Sequence, residues 1–430
     1  MASSIKAGHG VSCIWLGSLC QRARTLDRGF RRGRNSGLLA QNWSDKMQMR
    51  PILERLIGFD TVSAKSNLDL LAYVQGLLAE AGIEAVLIPD ATGQKANLYA
   101  VVGPLGVPGV ILSGHVDVVP VEGQVWTKPP FALTKSDGRF YGRGVTDMKG
   151  FVACAIAAFL RAKSMDLAVP LILALSHDEE IGCQGVASML DVMAGWAVQP
   201  RLCLVGEPTS MQVATGHKGK IALRATCTGR EMHSAMAPMA LNALHLGAEF
   251  LGAVRDLQAE VMASGLRDDD YDVPYTTLHV GKFNGGVQVN IVPKTCVLEF
   301  EIRSLAGEDT DALIATLEAA AKMIVTPYLA EFPEAGIVVE RLWDYPGLGT
   351  EPDADVVSFA RGLVGGNGTI KVPYGTEGGM FAARLGLPTV ICGPGNMAQG
   401  HTPDEFIEVE QLVRCEAMLD ALLGRLVAGF

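Results

Sequence analysis

The 430 residues are 49% hydrophobic and 19% charged, a composition that can bury a sizeable core in a chain longer than one ordinary domain. The net charge of −10 is uneven: residues 1–50 hold nine Lys or Arg against Asp27 and Asp45, so this stretch carries +7 and the remainder −17. So acidic a body argues against nucleic acid as the main partner, and no apolar run reaches the roughly 18 residues that span a bilayer.

Residues 1–46 read as a basic extension outside the fold, because Arg22, Arg24, Arg28, Arg31, Arg32 and Arg34 sit among Gly, Ser and Asn without periodicity. An Arg-rich, acid-poor stretch fits an organelle transit peptide, or a start set too far upstream of Met47 or Met49. The nine cysteines are scattered through apolar runs with no C-x-x-C pair, which suggests reduced, buried thiols in a cytoplasmic protein.

From Pro51 the pattern becomes regular. Leu53, Leu56 and Ile57 have helical spacing, and Leu70, Leu71, Val74, Leu77 and Leu78 form a second apolar helical face over 68–81. The runs 98–102, 109–113, 170–175, 201–205 and 388–392 are nearly all apolar, as strands covered on both faces are. An α/β domain with a mostly parallel sheet is predicted.

Between 214 and 342 the character changes. Strand-like 220–227, a helix at 240–263, strands at 276–283 and 295–303, a helix at 309–323 and a strand at 336–341 give the ferredoxin-like β-α-β-β-α-β order. The reading is an inserted lid or dimerisation domain, 214–342, within a catalytic domain made of 47–213 and 343–430, hinged near the two crossings.

Potential metal ligands follow the buried strands: His115 after VILSG, Glu179 and Glu180 after LILALSHD, Glu207 after LCLVG and His401 beyond TVICGPG. Open α/β sheets bind ligands at that edge. Asp147, in GRGVTDMKG, precedes a helical run. Any one of these alone is more often structural, but three carboxylates and two imidazoles on one edge make a dinuclear site for zinc or cobalt, with one carboxylate bridging. Asp117, two residues along an extended segment from His115, is placed to accept its Nδ1–H and free Nε2 for metal. Neighbouring side chains in an extended loop diverge, so Glu180 is assigned to metal and Glu179 to general base.

The segments SGHVDVVP, GRGVTDMKG, SHDEEIGCQG, VGEPT and GHTPDEF resemble the metallopeptidase superfamily that contains acetylornithine deacetylases, succinyl-diaminopimelate desuccinylases, aminoacylases and carboxypeptidases. That resemblance, from about residue 51 to the end, implies His115 and Glu207 on one metal, Glu180 and His401 on the other, Asp147 bridging, and a cis peptide after Asp147. Flanking stretches such as YGTEGGMF most resemble the acetylornithine deacetylases, implying N2-acetyl-L-ornithine as substrate in arginine biosynthesis. His233 in REMHSAMAP resembles a histidine that reaches a dimer partner's site and stabilises the oxyanion, and Asn290 and Arg303 resemble residues that bind the substrate carboxylate. Glu377, in a glycine-flanked loop, is the candidate for the distal ammonium. His177, His217, His245 and His279 receive no role. The alternatives are the same chemistry on a succinylated diamino acid, a simple acyl amino acid or a dipeptide, and, more remotely, a non-catalytic binding module.

Overall fold

The computed structural model describes residues 47–430, and the basic extension 1–46 lies outside the described residues. The first stretch holds α1 (Arg50–Ile57), α2 (Leu68–Glu80), β1 (Ala85–Pro89), β2 (Ala96–Val102), β3 (Val110–His115), β4 (Thr134–Ser136), β5 (Arg139–Tyr141), α3 (Lys149–Ala162), β6 (Leu171–Ser176), α4 (Val186–Ala194), β7 (Leu202–Pro208) and β8 (Val213–His217). Next come β9 (Gly219–Thr228), α5 (Ala243–Ser264), β10 (Thr277–Gly285), β11 (Thr295–Ser304), α6 (Thr310–Val325) and β12 (Gly336–Tyr345). The last are β13 (Leu348–Gly349), α7 (Asp355–Val364), β14 (Thr369–Val372), α8 (Gly378–Leu385), β15 (Thr389–Gly393), β16 (Phe406–Glu408) and α9 (Val409–Ala428).

The five apolar runs become β2, β3, β6, β7 and β15 of a nine-stranded sheet ordered β1-β2-β6-β3-β7-β15-β8-β13, with β14 beside β8. Its centre, β6-β3-β7-β15, is wholly parallel, and the outer pairings are mainly antiparallel. Helices cover both faces, which is why the central strands carry no polar alternation. Side chains of α1, α2, α3, α7 and α9 pack on one face, and those of α4 and α8 on the other. α3 is apolar nearly all round and almost fully buried. Gly206 in β7 allows this approach, since a Cβ there would stand 2.0 Å from the Phe151 ring.

The second sheet, β10-β11-β9-β12, is antiparallel throughout. β9 alternates buried and half-buried residues along its length, with α5 and α6 closing a separate core on one face. Asn242 and Asp309 cap these helices, accepting from Leu244 N (2.8 Å) and Ala312 N (3.0 Å). The chain crosses between sheets a few residues later than 214 and 342, because β8 pairs with β14 and β15 in the large sheet and β12 continues to Tyr345. Nothing in the run VATGH itself says which sheet it completes; the strand pairing decides.

Candidate metal centre

The four parallel central strands end at one edge, and each delivers part of one cluster. β3 ends on His115, β6 leads to Glu179 and Glu180, β7 carries Glu207, and the loop after β15 brings His401. Asp147 enters from the turn before α3, and its peptide bond to Met148 is cis.

Asp147 stands between the two imidazoles. Its Oδ1 is 3.0 Å from His115 Nε2 and its Oδ2 is 3.0 Å from His401 Nε2. Glu207 Oε1 lies 3.5 Å from His115 Nε2, while Glu180 Oε2 lies 3.0 Å from His401 Nε2. Glu179 keeps apart from this pairing: one oxygen is 4.0 Å from His115 Nε2 and the other accepts from Cys183 Sγ at 3.3 Å. Donor atoms of His115, Glu179 and Glu207 lie within 4.8 Å of one another, and so do those of His115, Asp147 and Glu180.

Four carboxyls against two imidazoles is an unbalanced set. Burial, together with the Asp147 charge, pushes Glu180 up to about 7, and burial likewise holds Glu179 and Glu207 well above the ordinary carboxyl range. Hydrogen bonds to Asp147 and Glu180 raise His401 to about 10. Burial opposes the charging of His115, but Asp117, Asp147 and Glu207 outweigh it and raise its pKa. The cluster therefore demands positive charge, from protons or from cations. Two buried oxygens, Glu180 Oε1 and Glu207 Oε1, have no hydrogen-bond partner, a costly state that a cation relieves. Two imidazoles and carboxylate oxygens around a shared Asp147 fit a pair of divalent ions.

The structure departs from expectation around this centre. His115 Nδ1–H donates to the backbone carbonyl of Asp117 at 2.9 Å, whereas the Asp117 carboxylate is 3.6 Å away. That carboxylate instead accepts from Ser63 Oγ (2.7 Å) and from the backbone N–H groups of Glu179 (3.2 Å) and Glu180 (3.3 Å). The consequence for His115 is the same, with Nε2 turned toward Asp147 and the other carboxylates, but the Asp117 carboxylate holds the glutamate loop rather than the imidazole.

Glu377 does not face the site. It is buried, accepting from Ser113 Oγ and Ser176 Oγ at 2.5 Å each, beneath the strand ends that carry His115 and the glutamates. The loop that looked open in sequence is the start of α8, packed onto the sheet. Asn290 and Arg303 are also parted. Arg303 lines a cleft of about 170 Å³ that contains Asp147, Glu179, Glu180, Glu207 and His401. Asn290 lies on an exposed loop beside His233, where its carbonyl accepts from Ser234 N at 2.9 Å. His233 is exposed too, its Nδ1 capping a short turn through Ala235 N.

Sequence reasoning passed over four further residues that line the cleft: Lys220, Trp343, Tyr345 and Tyr374. Arg303 Nη1 donates to Tyr345 Oη at 3.1 Å, Trp343 stacks against Tyr345, and Lys220 Nζ lies 4.5 Å from the Trp343 ring centre. Glu301 pairs with both cations at 3.0 Å. Lys220, Trp343 and Tyr345 are ordinary strand residues whose local pattern carries no mark of the site; Tyr374, in the bend after β14, sits in a stretch, YGTEGGMF, that stood out.

Residues 111–425 match the model of peptidase family M20/M25/M40. The chain belongs to that family. Metal-dependent peptidases and amidohydrolases make up the M20 group, and the chain is accordingly a hydrolase with a cluster able to bind metal. It is 34% identical over 386 residues to the acetylornithine deacetylase of Myxococcus xanthus, covering 89% of this chain and 98% of that one. Its fold is similar to that of an M20 metallo-carboxypeptidase from Sulfolobus solfataricus, with a TM-score of 0.69 at 17% identity over 88% of this chain and 98% of the other. A dinuclear metal-binding M20 peptidase from Bacillus subtilis matches at a TM-score of 0.63 and 13% identity, covering 89% and 99%.

Proposed function

We propose that this M20 protein hydrolyses the amide of an N-acyl amino acid at a dinuclear centre, and that its substrate is N2-acetyl-L-ornithine, giving acetate and L-ornithine for arginine biosynthesis. The observation that carries the amidohydrolase reading is Asp147, placed 3.0 Å from each of two imidazoles that have carboxylate neighbours of their own, Glu207 and Glu180. The ornithine reading rests on the Myxococcus relative.

In this proposal His115 and Glu207 would hold one ion and Glu180 and His401 the other, with Asp147 shared between them and Zn2+ or Co2+ the ions that suit the donors. Bound there, the ions supply Lewis acidity for the scissile carbonyl and the attacking water. Glu179, in the cleft yet turned from His401, takes a proton from that water and returns it to the leaving nitrogen. Arg303 orients the substrate carboxylate through its planar fork. His233 and Asn290 serve a second copy of the chain: both sit at an exposed tip beside Val287 and Val289, which are 80% and 101% exposed, an apolar surface that a homodimer would cover.

One observation favours a second reading. Beside the carboxylates the cleft is lined by Lys220 and Arg303, which share the single carboxylate of Glu301, and Glu377 is not there to take an ammonium. A succinylated diamino acid, whose distal group is a carboxylate, suits that lining. Turnover of N-acetylornithine, N-succinyl-diaminopimelate and N-acetylmethionine by the zinc- or cobalt-loaded protein tests both. N-acetylornithine should give the highest kcat/KM, and finding it among the poorest overturns the ornithine reading.

A further inference from the structure

We propose that Glu405 is a positioning residue that sets the orientation of Asp147 toward both metals, an inference that rests on the bridging reading of Asp147. Glu405 is 1% exposed, and each of its carboxylate oxygens has two donors. Oε1 accepts from the backbone N–H of Thr146 (2.9 Å) and of Asp147 itself (3.2 Å). Oε2 accepts from Gly144 N (3.0 Å) and from the buried Arg143 guanidinium (2.7 Å).

Outside the 401–406 segment, the turn from 142 to 147 is tied to its surroundings by Arg143 N donating to Pro130 O at 2.7 Å. Its own backbone bonds are Val145 N to Gly142 O and Lys149 N to Gly144 O, and it contains Gly144 at φ +81. Without Glu405, three buried N–H groups of that turn would lose their acceptor, which is the condition for the turn to rearrange. Two further bonds tie the same segments: Gly142 N donates to Glu405 O (3.0 Å) and Thr146 Oγ1 to Phe406 O (2.6 Å).

Glu405 lies four residues beyond His401. One short peptide therefore supplies both an imidazole that faces Asp147 Oδ2 and the carboxylate that grips the Asp147 backbone. Held in this way, the Asp147 carboxylate can keep Oδ1 on His115 and Oδ2 on His401 at the same time. A neutral amide cannot replace the clamp, because it offers one acceptor oxygen and turns an NH2 group onto N–H donors.

The test uses the full chain and Zn2+ itself. Zinc stoichiometry and affinity are measured by competition with a chromophoric chelator for the wild type and Glu405→Gln, beside the melting temperature of each metal-free protein. The expected result is a folded variant whose zinc affinity falls by roughly 10- to 100-fold, the loss typical when an outer partner of a metal ligand is removed. A purely structural carboxylate would lower the metal-free melting temperature and leave affinity within about twofold of wild type, and that result overturns the proposal. If Glu405→Gln is not recovered folded, Glu405→Asp, which keeps the charge but withdraws the oxygens, is held to the same criterion. Failure of the wild type to bind zinc would instead sink the dinuclear reading on which the proposal stands.

Discussion

Glu179 and Glu180 are consecutive in sequence yet turn to different imidazoles: Glu179 Oε2 lies 4.0 Å from His115 Nε2, and Glu180 Oε2 lies 3.0 Å from His401 Nε2. Of these two, Glu180 and not Glu179 has a buried oxygen without a hydrogen-bond partner. This difference supports the proposed division of labour, with Glu179 as base and Glu180 as ligand. Glu179→Gln should retain its metal and melting temperature while kcat falls by about 10²- to 10⁴-fold, the usual worth of a general base. Metal analysis and steady-state kinetics of the one preparation check this, and near-normal turnover would remove Glu179 from that role.

Removing the metals should destabilise the protein as well as silence it. Asp147, Glu179, Glu180 and Glu207 are buried within a few ångströms of one another, so cations relieve their mutual repulsion. Metal held at about 100 times its Kd adds about 2.7 kcal/mol to folding. Dialysis against a chelator should lower Tm and abolish turnover, and zinc or cobalt should restore both.

Arg303 lines the cleft beside the carboxylates, as Lys220 does, and its Nη1 donates to Tyr345 Oη. Replacing it by Lys keeps charge but loses the fork. For both Arg303→Lys and Arg303→Ala the prediction is a raised KM with a smaller change in kcat, Ala being the worse. A pure kcat defect would mean that Arg303 acts on the transition state rather than on the substrate carboxylate.

Glu377→Gln separates substrate choice from stability. Because Glu377 is enclosed by Ser113 and Ser176, the variant should lose about 1–3 kcal/mol of stability through an impaired buried hydrogen bond. The ratio of kcat/KM for N-acetylornithine to that for N-acetylmethionine should not change. A collapse of that ratio would return Glu377 to the substrate's ammonium.

His217 makes part of the stability depend on pH. It is fully buried, its Nδ1–H donates to Lys218 O at 2.9 Å, and its Nε2 accepts from Gly379 N at 3.1 Å, so the neutral ring is satisfied at both nitrogens. Burial lowers its pKa from 6.5 to about 4. The unfolded chain therefore takes up this proton first: stability is fully present above pH 6.5 and is lost as pH falls toward 4, by about 3 kcal/mol in all. Urea melts between pH 4 and 7 should show a flatter profile for His217→Gln than for the wild type.

Much of the fold was legible because burial writes itself into composition. β3, β6 and β7 lie between helix layers and must be apolar on both faces, so their ends, and hence the sites of His115, Glu179, Glu180 and Glu207, could be located from the runs alone. β9 and β11 alternate because one face of their sheet is half-exposed. The cleft wall was not legible. Lys220, Trp343 and Tyr345 come from β9 and β12, and their approach to Glu179 depends on how the two sheets are disposed, which no local periodicity encodes.

The sequence by itself determined the α/β class, the separate β-α-β-β-α-β unit and the residues able to ligate metal, because strand burial and ligand chemistry are local properties. Only the tertiary structure decided which of those residues meet. It joined Asp147 to both imidazoles and Glu405 to the Asp147 turn, sent the Asp117 carboxylate to the glutamate loop, and placed Glu377 under the sheet. Distances of about 3 Å between side chains far apart in the chain are set by the packing of whole strands and helices, and that packing is a property of no single segment.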